Sequence, residues 1–104
     1  MGTAAVLYEG QPTASLATVV TGAADTTTKI TFAEACNVSG DVVTLDCYFG
    51  TLQTIKGLTF QPNETRTLFG VVGGVLEAAD TLQMQASAAT SISVKVDGYQ
   101  VSAA

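Results

Sequence analysis

From Lys29 to Phe49 apolar and polar side chains change places at almost every step. Ile30, Phe32, Cys36 and Val38 share one parity, and Thr31, Ala33, Ala35 and Asn37 share the other. Successive side chains of a strand point to opposite faces, so this is the pattern of a half-buried strand. The apolar parity fails at Glu34, which marks a bulge or a strand edge there. Ser39-Gly40-Asp41 is a turn signal. Beyond it Val43, Leu45, Cys47 and Phe49 alternate with Thr44, Asp46 and Tyr48. Two alternating runs across a short glycine turn predict a β-hairpin, with Phe32 and Phe49 in the core.

The rest of the chain repeats this grammar. Leu16 to Thr21 is a short β-type run closed by Gly22. Leu52 and Ile55 lie in a run bracketed by Gly50 and Gly57, and Leu58 to Phe60 continues extended. Gln61-Pro62-Asn63-Glu64 reads as a turn in which Asn tolerates the left-handed region. Thr65 to Gly70 is a further strand candidate. Leu82, Met84, Ala86 and Ala88 alternate with Gln83, Gln85 and Ser87, and Ile92, Val94 and Val96 with Ser93, Lys95 and Asp97. Leu76, Ala79 and Leu82 also have helical spacing. The longer downstream alternation favours a turn at Ala78-Ala79-Asp80 followed by a strand, with one turn of helix before Asp80 left open. Turn signals roughly every ten residues in a strand-rich chain predict an all-β fold, an antiparallel β-sandwich, Ig-like or jelly-roll-like, of about seven short strands. It is expected to occupy residues 16–104. Residues 1–15 are rich in Ala, Thr and Gly, contain Pro12 and keep no period. They read as an arm or irregular lead-in, whose removal is expected to leave the sandwich folded and to abolish attachment to a partner.

Charged residues make up only 12% of the chain against 47% apolar, with a net charge of −5. So little charge favours a surface partly covered by a partner and predicts a homo-oligomer, a trimer as first expectation. Lys29, Lys56, Arg66 and Lys95 are scattered and form no basic patch, so nucleic acid and anionic membranes are not expected partners. The start lacks the basic and apolar segments of a signal peptide, and no apolar run is long enough to span a bilayer, so a soluble chain made in the cytoplasm is expected.

The residues that usually announce chemistry are nearly absent, histidine wholly so. Without histidine, Ser-His-Asp and Cys-His systems cannot be built. Cys36 and Cys47 supply at most two of the ligands a structural zinc needs. No cofactor or metal is expected, and no catalytic residue is assigned. Whether the two cysteines bridge stays open: diagonal positions of a hairpin lie about 7–8 Å apart, beyond the usual disulfide span unless a bulge intervenes. Tyr8, Tyr48 and Tyr99 are the candidate interface residues. Each is either an ordinary half-exposed tyrosine or a contact anchor, because Tyr is enriched at interfaces.

The stretch KITFAEACNVSGDVVTLDCYF over 29–49 resembles a pattern of small structural proteins from tailed-bacteriophage virions. The similarity continues through the proline turn in LTFQPNETRTLF, the turn Leu76-Glu77-Ala78-Ala79-Asp80 and the closing run Ile92 to Tyr99. It covers most of residues 16–101 and departs at Ala79, where the family pattern usually has Gly. The resemblance implies a non-enzymatic virion protein, most often a capsid decoration (cement) subunit that binds the major capsid protein or other virion subunits and stabilises the head. The alternative is a tail- or fibre-associated virion protein whose tyrosines and Thr/Gln face contact a host glycan.

Overall fold

The computed structural model describes residues 2–102. Nine strands are present among them: β1 (Gly2–Gly10), β2 (Ala17–Thr21), β3 (Thr26–Asn37), β4 (Val43–Phe49), β5 (Leu52–Phe60), β6 (Thr65–Thr67), β7 (Val75–Leu76), β8 (Thr81–Ala86) and β9 (Ile92–Ser102). They form two antiparallel sheets packed as a sandwich. The first has the order β1-β9-β3-β6, with β7 also paired to β3, and the second has the order β2-β8-β4-β5. Between them lies a core that includes Ile30, Leu45, Phe60, Leu68, Leu82, Met84 and Val96, all fully buried. The all-β sandwich expected from the alternation is therefore present, with two strands more than the period-2 runs alone mark.

One of the additions is β1. The segment expected to be an irregular lead-in pairs with β9 from Gly2↔Val101 to Gly10↔Val94. Its Leu7 and Tyr8 pack against the core. A bulge at Leu7 hides the period, since the register shifts between Val6 and Tyr8. Leu7 lies over Gly98, where an added Cβ would come within 2.5 Å of the leucine Cδ1.

The predicted β3–β4 hairpin is not formed. β3 pairs with β9, β6 and β7 in the first sheet, whereas β4 pairs with β5 and β8 in the second. The turn at Ser39-Gly40-Asp41 carries the chain from one sheet to the other. A period-2 run shows which face of a strand is buried but not which strand lies beside it. Asn37 holds this corner. It is fully buried, and its Nδ2 donates to the carbonyls of Asp41 (2.7 Å), Gln61 (3.2 Å) and Phe60 (3.3 Å). Its Oδ1 accepts from the Ser39 amide (2.9 Å) and hydroxyl (2.7 Å). Its backbone N–H donates to Glu64 O and its carbonyl accepts from Asn63 N–H. One side chain thus ties the end of β3, the corner and the β5–β6 turn together.

The bulge in β3 also falls earlier than Glu34. Ile30 pairs with Gly98 and Phe32 with Asp97, so Thr31 is the extra residue. A one-residue slip moves every following side chain to the other face. Ala33, Ala35 and Asn37 therefore point inward at 0–1% exposure, while Phe32 and Val38 are 38% and 52% exposed. Phe32 is not a core residue, and Cys36 faces out of the first sheet. Phe49 keeps its predicted place against the core. Cys36 and Cys47 are both free thiols, and the bridge is not formed. Burial, aided by the neighbouring Asp46 carboxylate, pushes the Cys47 thiol up to about 12. At pH 8 the Cys47 thiol is then held protonated, and the thiolate is the reactive form. Native protein treated with a thiol reagent is expected to take up one label quickly, at Cys36, and the second only on unfolding. Two equally fast labels, or none, would contradict this arrangement.

No helix forms over Val75 to Met84. The turn after β7 is closed by Asp80, whose N–H donates to Glu77 O and whose Oδ2 accepts from Glu77 N–H, each at 3.0 Å. The turn docks on Gly22: Gly22 N–H donates to Asp80 O at 2.7 Å, and Ala79 N–H donates to Gly22 O at 3.0 Å. Ala79 sits at φ +70°, a conformation that costs an L-residue roughly 1–2 kcal/mol. Ala79→Gly is expected to stabilise the fold by about 0.5–1 kcal/mol after the added unfolded-state entropy of glycine is counted. That is a rise in Tm of about 3–6 °C, measurable by calorimetry. Asn63, expected to tolerate the left-handed region, adopts φ +64°.

Candidate interaction surfaces

The outer faces of the two sheets differ in chemistry. On the first sheet the registers of β1, β9 and β3 align outward-facing residues in rows. One row is Ala4, Tyr99 and Lys29, with Val75 of β7 beside Lys29. The next is Val6, Asp97 and Phe32, and the third is Glu9, Lys95 and Glu34. Exposed apolar side chains dominate the first two: Val6 at 56%, Val75 at 48%, Tyr99 at 44% and Phe32 at 38%. Lys95 Nζ lies 3.3 Å from Asp97 Oδ1 and 4.0 Å from Glu9 Oε2, so its charge is shared within this face. Lys29 and Glu34, at opposite ends of the same stretch of β3, make no ion pair among the described residues. Phe32 is present here because of the bulge at Thr31.

On the second sheet the corresponding row is polar. Thr18, Gln83, Tyr48 and Gln53 are register neighbours across β2, β8, β4 and β5. The Thr/Gln face that the sequence suggested is therefore one continuous strip with Tyr48 half-buried within it. The three candidate tyrosines are not brought together. Tyr48 is on this second face. Tyr99 is on the outer face of the first sheet. Tyr8 pairs with Val96 and turns inward against the core, where burial raises its phenol above the usual value.

A third surface lies along the side of the sandwich where β5 and β6 approach. An open groove of about 680 Å³ is lined there by Ile55, Leu58, Glu64, Arg66 and Phe69, among others. Phe69 is 85% exposed and Leu52 67%. The edges beside it are guarded. Gly57 bulges at φ +60°, its N–H donating to Asp46 Oδ1, and Arg66 Nη1 donates to Thr59 O at 3.1 Å. A bulge and a charged side chain keep a sheet edge from pairing with another chain. Contacts on this side would be made by side chains. Sequence reasoning missed Phe69 and Leu52 because an apolar residue beside a turn reads equally as core. Among the described residues no three His, Cys, Asp or Glu side chains gather where a metal could be held.

No family model matches the chain, and no curated protein matches it. A solved structure from Bacillus endospore appendages, which form disulfide-linked pili, is similar in fold. It superposes with a TM-score of 0.53 and 13% sequence identity, over 100% of this chain and 88% of that one. At that identity the likeness is one of fold: this chain shares the β-sandwich architecture of an appendage protein.

Proposed function

We propose that this chain is a non-enzymatic structural subunit of a bacteriophage virion, a decoration protein that binds the assembled head and stabilises it through subunit interfaces. The observation that carries the reading is the amount of apolar side chain left in solvent by a chain with so few charges. Phe69, Leu52, Val6, Val42 and Val38 are each more than half exposed. A contiguous exposed apolar patch marks a surface that a partner covers, and Val6, Phe32, Tyr99 and Val75 lie in two adjacent rows of the first sheet's outer face. The resemblance of residues 16–101 to phage structural proteins supplies the particle. Major capsid protein or other virion subunits are the partners under this reading, and the virion is the location.

A second reading is favoured by the fold likeness to a pilus protein. The chain would then be a tail- or fibre-associated virion subunit, with the Thr18–Gln83–Tyr48–Gln53 strip turned toward a glycan or another partner. Gradient fractionation of particles from a producing culture, with detection of the protein, separates the two. A decoration subunit follows DNA-filled heads at high copy number. A fibre subunit follows tails or head-free filaments. Recovery only in the soluble fraction, at particle concentrations where the major capsid protein is saturating, would sink both.

A further inference from the structure

We infer that the outer face of the first sheet is the docking site for the same face of a second copy, the two related by a two-fold axis through the Val6–Asp97–Phe32 row. The inference rests on the structural-subunit reading and names one of its interfaces. Its ground is charge complementarity. When two such faces meet with their strands antiparallel, the row holding Lys29 falls on the row holding Glu34 of the other copy. Each unpaired lysine then meets an unpaired glutamate, and symmetry makes the pair twice. Tyr99 falls on the partner copy's Lys95, a cation over an aromatic ring. Phe32 meets Phe32 on the axis. The one like-charge meeting, Asp97 with Asp97, is relieved because each carboxylate already has Lys95 Nζ at 3.3 Å. A parallel arrangement, with the axis along β9, would instead set Glu34 against Glu9 twice and Lys95 against Lys95, so the charges select one orientation.

The area is adequate for a specific contact. Four columns of strands about 4.8 Å apart and nine residues about 3.4 Å apart give a footprint of roughly 19 by 30 Å, so about 1,100 Å² is covered in total, near the lower end of stable interfaces. A dimer of micromolar rather than picomolar strength is the expectation, since small and partly charged interfaces lie at the weak end.

The test is a charge exchange on the full chain, read by sedimentation across a concentration series. The native protein is expected at twice the chain mass of 10.6 kDa. Lys29→Glu and Glu34→Lys should each weaken association by about ten-fold or more, because each sets like charges face to face twice. The double variant restores both pairs with inverted sign and should return to within about three-fold of the native constant. Cooperative thermal unfolding of all three variants, measured at a concentration where each is monomeric, shows that they fold. A monomer at about 100 µM, a trimeric mass, or a double variant as weak as the singles overturns the inference. Particle fractionation answers separately. A monomer that still follows heads sinks the face pairing alone. A dimer with restored double variant that never enters particles supports the pairing and sinks the virion reading.

Discussion

Replacing Asn37 with alanine is expected to lower stability by about 3–5 kcal/mol, because the carbonyls of Asp41, Phe60 and Gln61 lose their shared donor in a place where an unsatisfied buried group costs about 1–3 kcal/mol. For a domain of this length that is a fall in Tm of roughly 15–30 °C. It is also a large part of a total stability of about 5–15 kcal/mol. Asn37→Asp keeps the shape and the acceptor of the Ser39 bonds but removes the amide donors. It should cost as much as alanine or more at neutral pH, since it also buries a carboxylate. Chemical denaturation of both variants checks this. A loss below 1 kcal/mol for alanine would mean that ordered water or a shifted corner replaces the hub.

Removing residues 1–10 is expected to abolish cooperative folding. β1 covers the whole of β9 from Val94 to Val101, and Leu7 and Tyr8 close that side of the core. Fully burying a large side chain contributes about 1.5–3 kcal/mol, and each ladder hydrogen bond about 0.5–1.5 kcal/mol. Their sum over this strand is comparable with the whole stability of a small domain. The truncated chain should show no sharp thermal transition, and a peptide of residues 1–12 added in trans should restore one. A truncated protein that melts cooperatively near the native temperature would return β1 to the status of a dispensable arm.

How much of this could be read in advance follows the kind of information a strand pattern holds. The alternations that mark β4, β8 and β9 survive, with β8 ending at Ala86 and Ala88 exposed beyond it, because each has one buried face and no insertion in its buried run. β5 was readable as two pieces, since Gly57 interrupts it with a left-handed bulge rather than ending it. β1 and the upper half of β3 were misread for one shared reason. Each carries an extra residue, Leu7 or Thr31, opposite the same stretch of β9, and an extra residue inverts parity downstream. Pairing was not legible at all. The Ser39-Gly40-Asp41 turn closes a hairpin or crosses between sheets with the same residues, and only the long-range bonds of Asn37 decide. The surfaces were half legible. The Thr/Gln strip around Tyr48 follows from parity, but the Lys29 and Glu34 rows exist only once β1, β9 and β3 are known to be neighbours.

The extra residue at Thr31 has an evolutionary consequence. Loss of its codon leaves the two faces of β3 as they are, because Ile30 already stands opposite Gly98 and Phe32 opposite the next residue, Asp97. With it or without it, Phe32 and Cys36 point outward and Ala33, Ala35 and Asn37 inward. A bulge absorbs one extra residue locally, so lineages of such a subunit could gain or lose that codon while the core and the contact surface keep their residues.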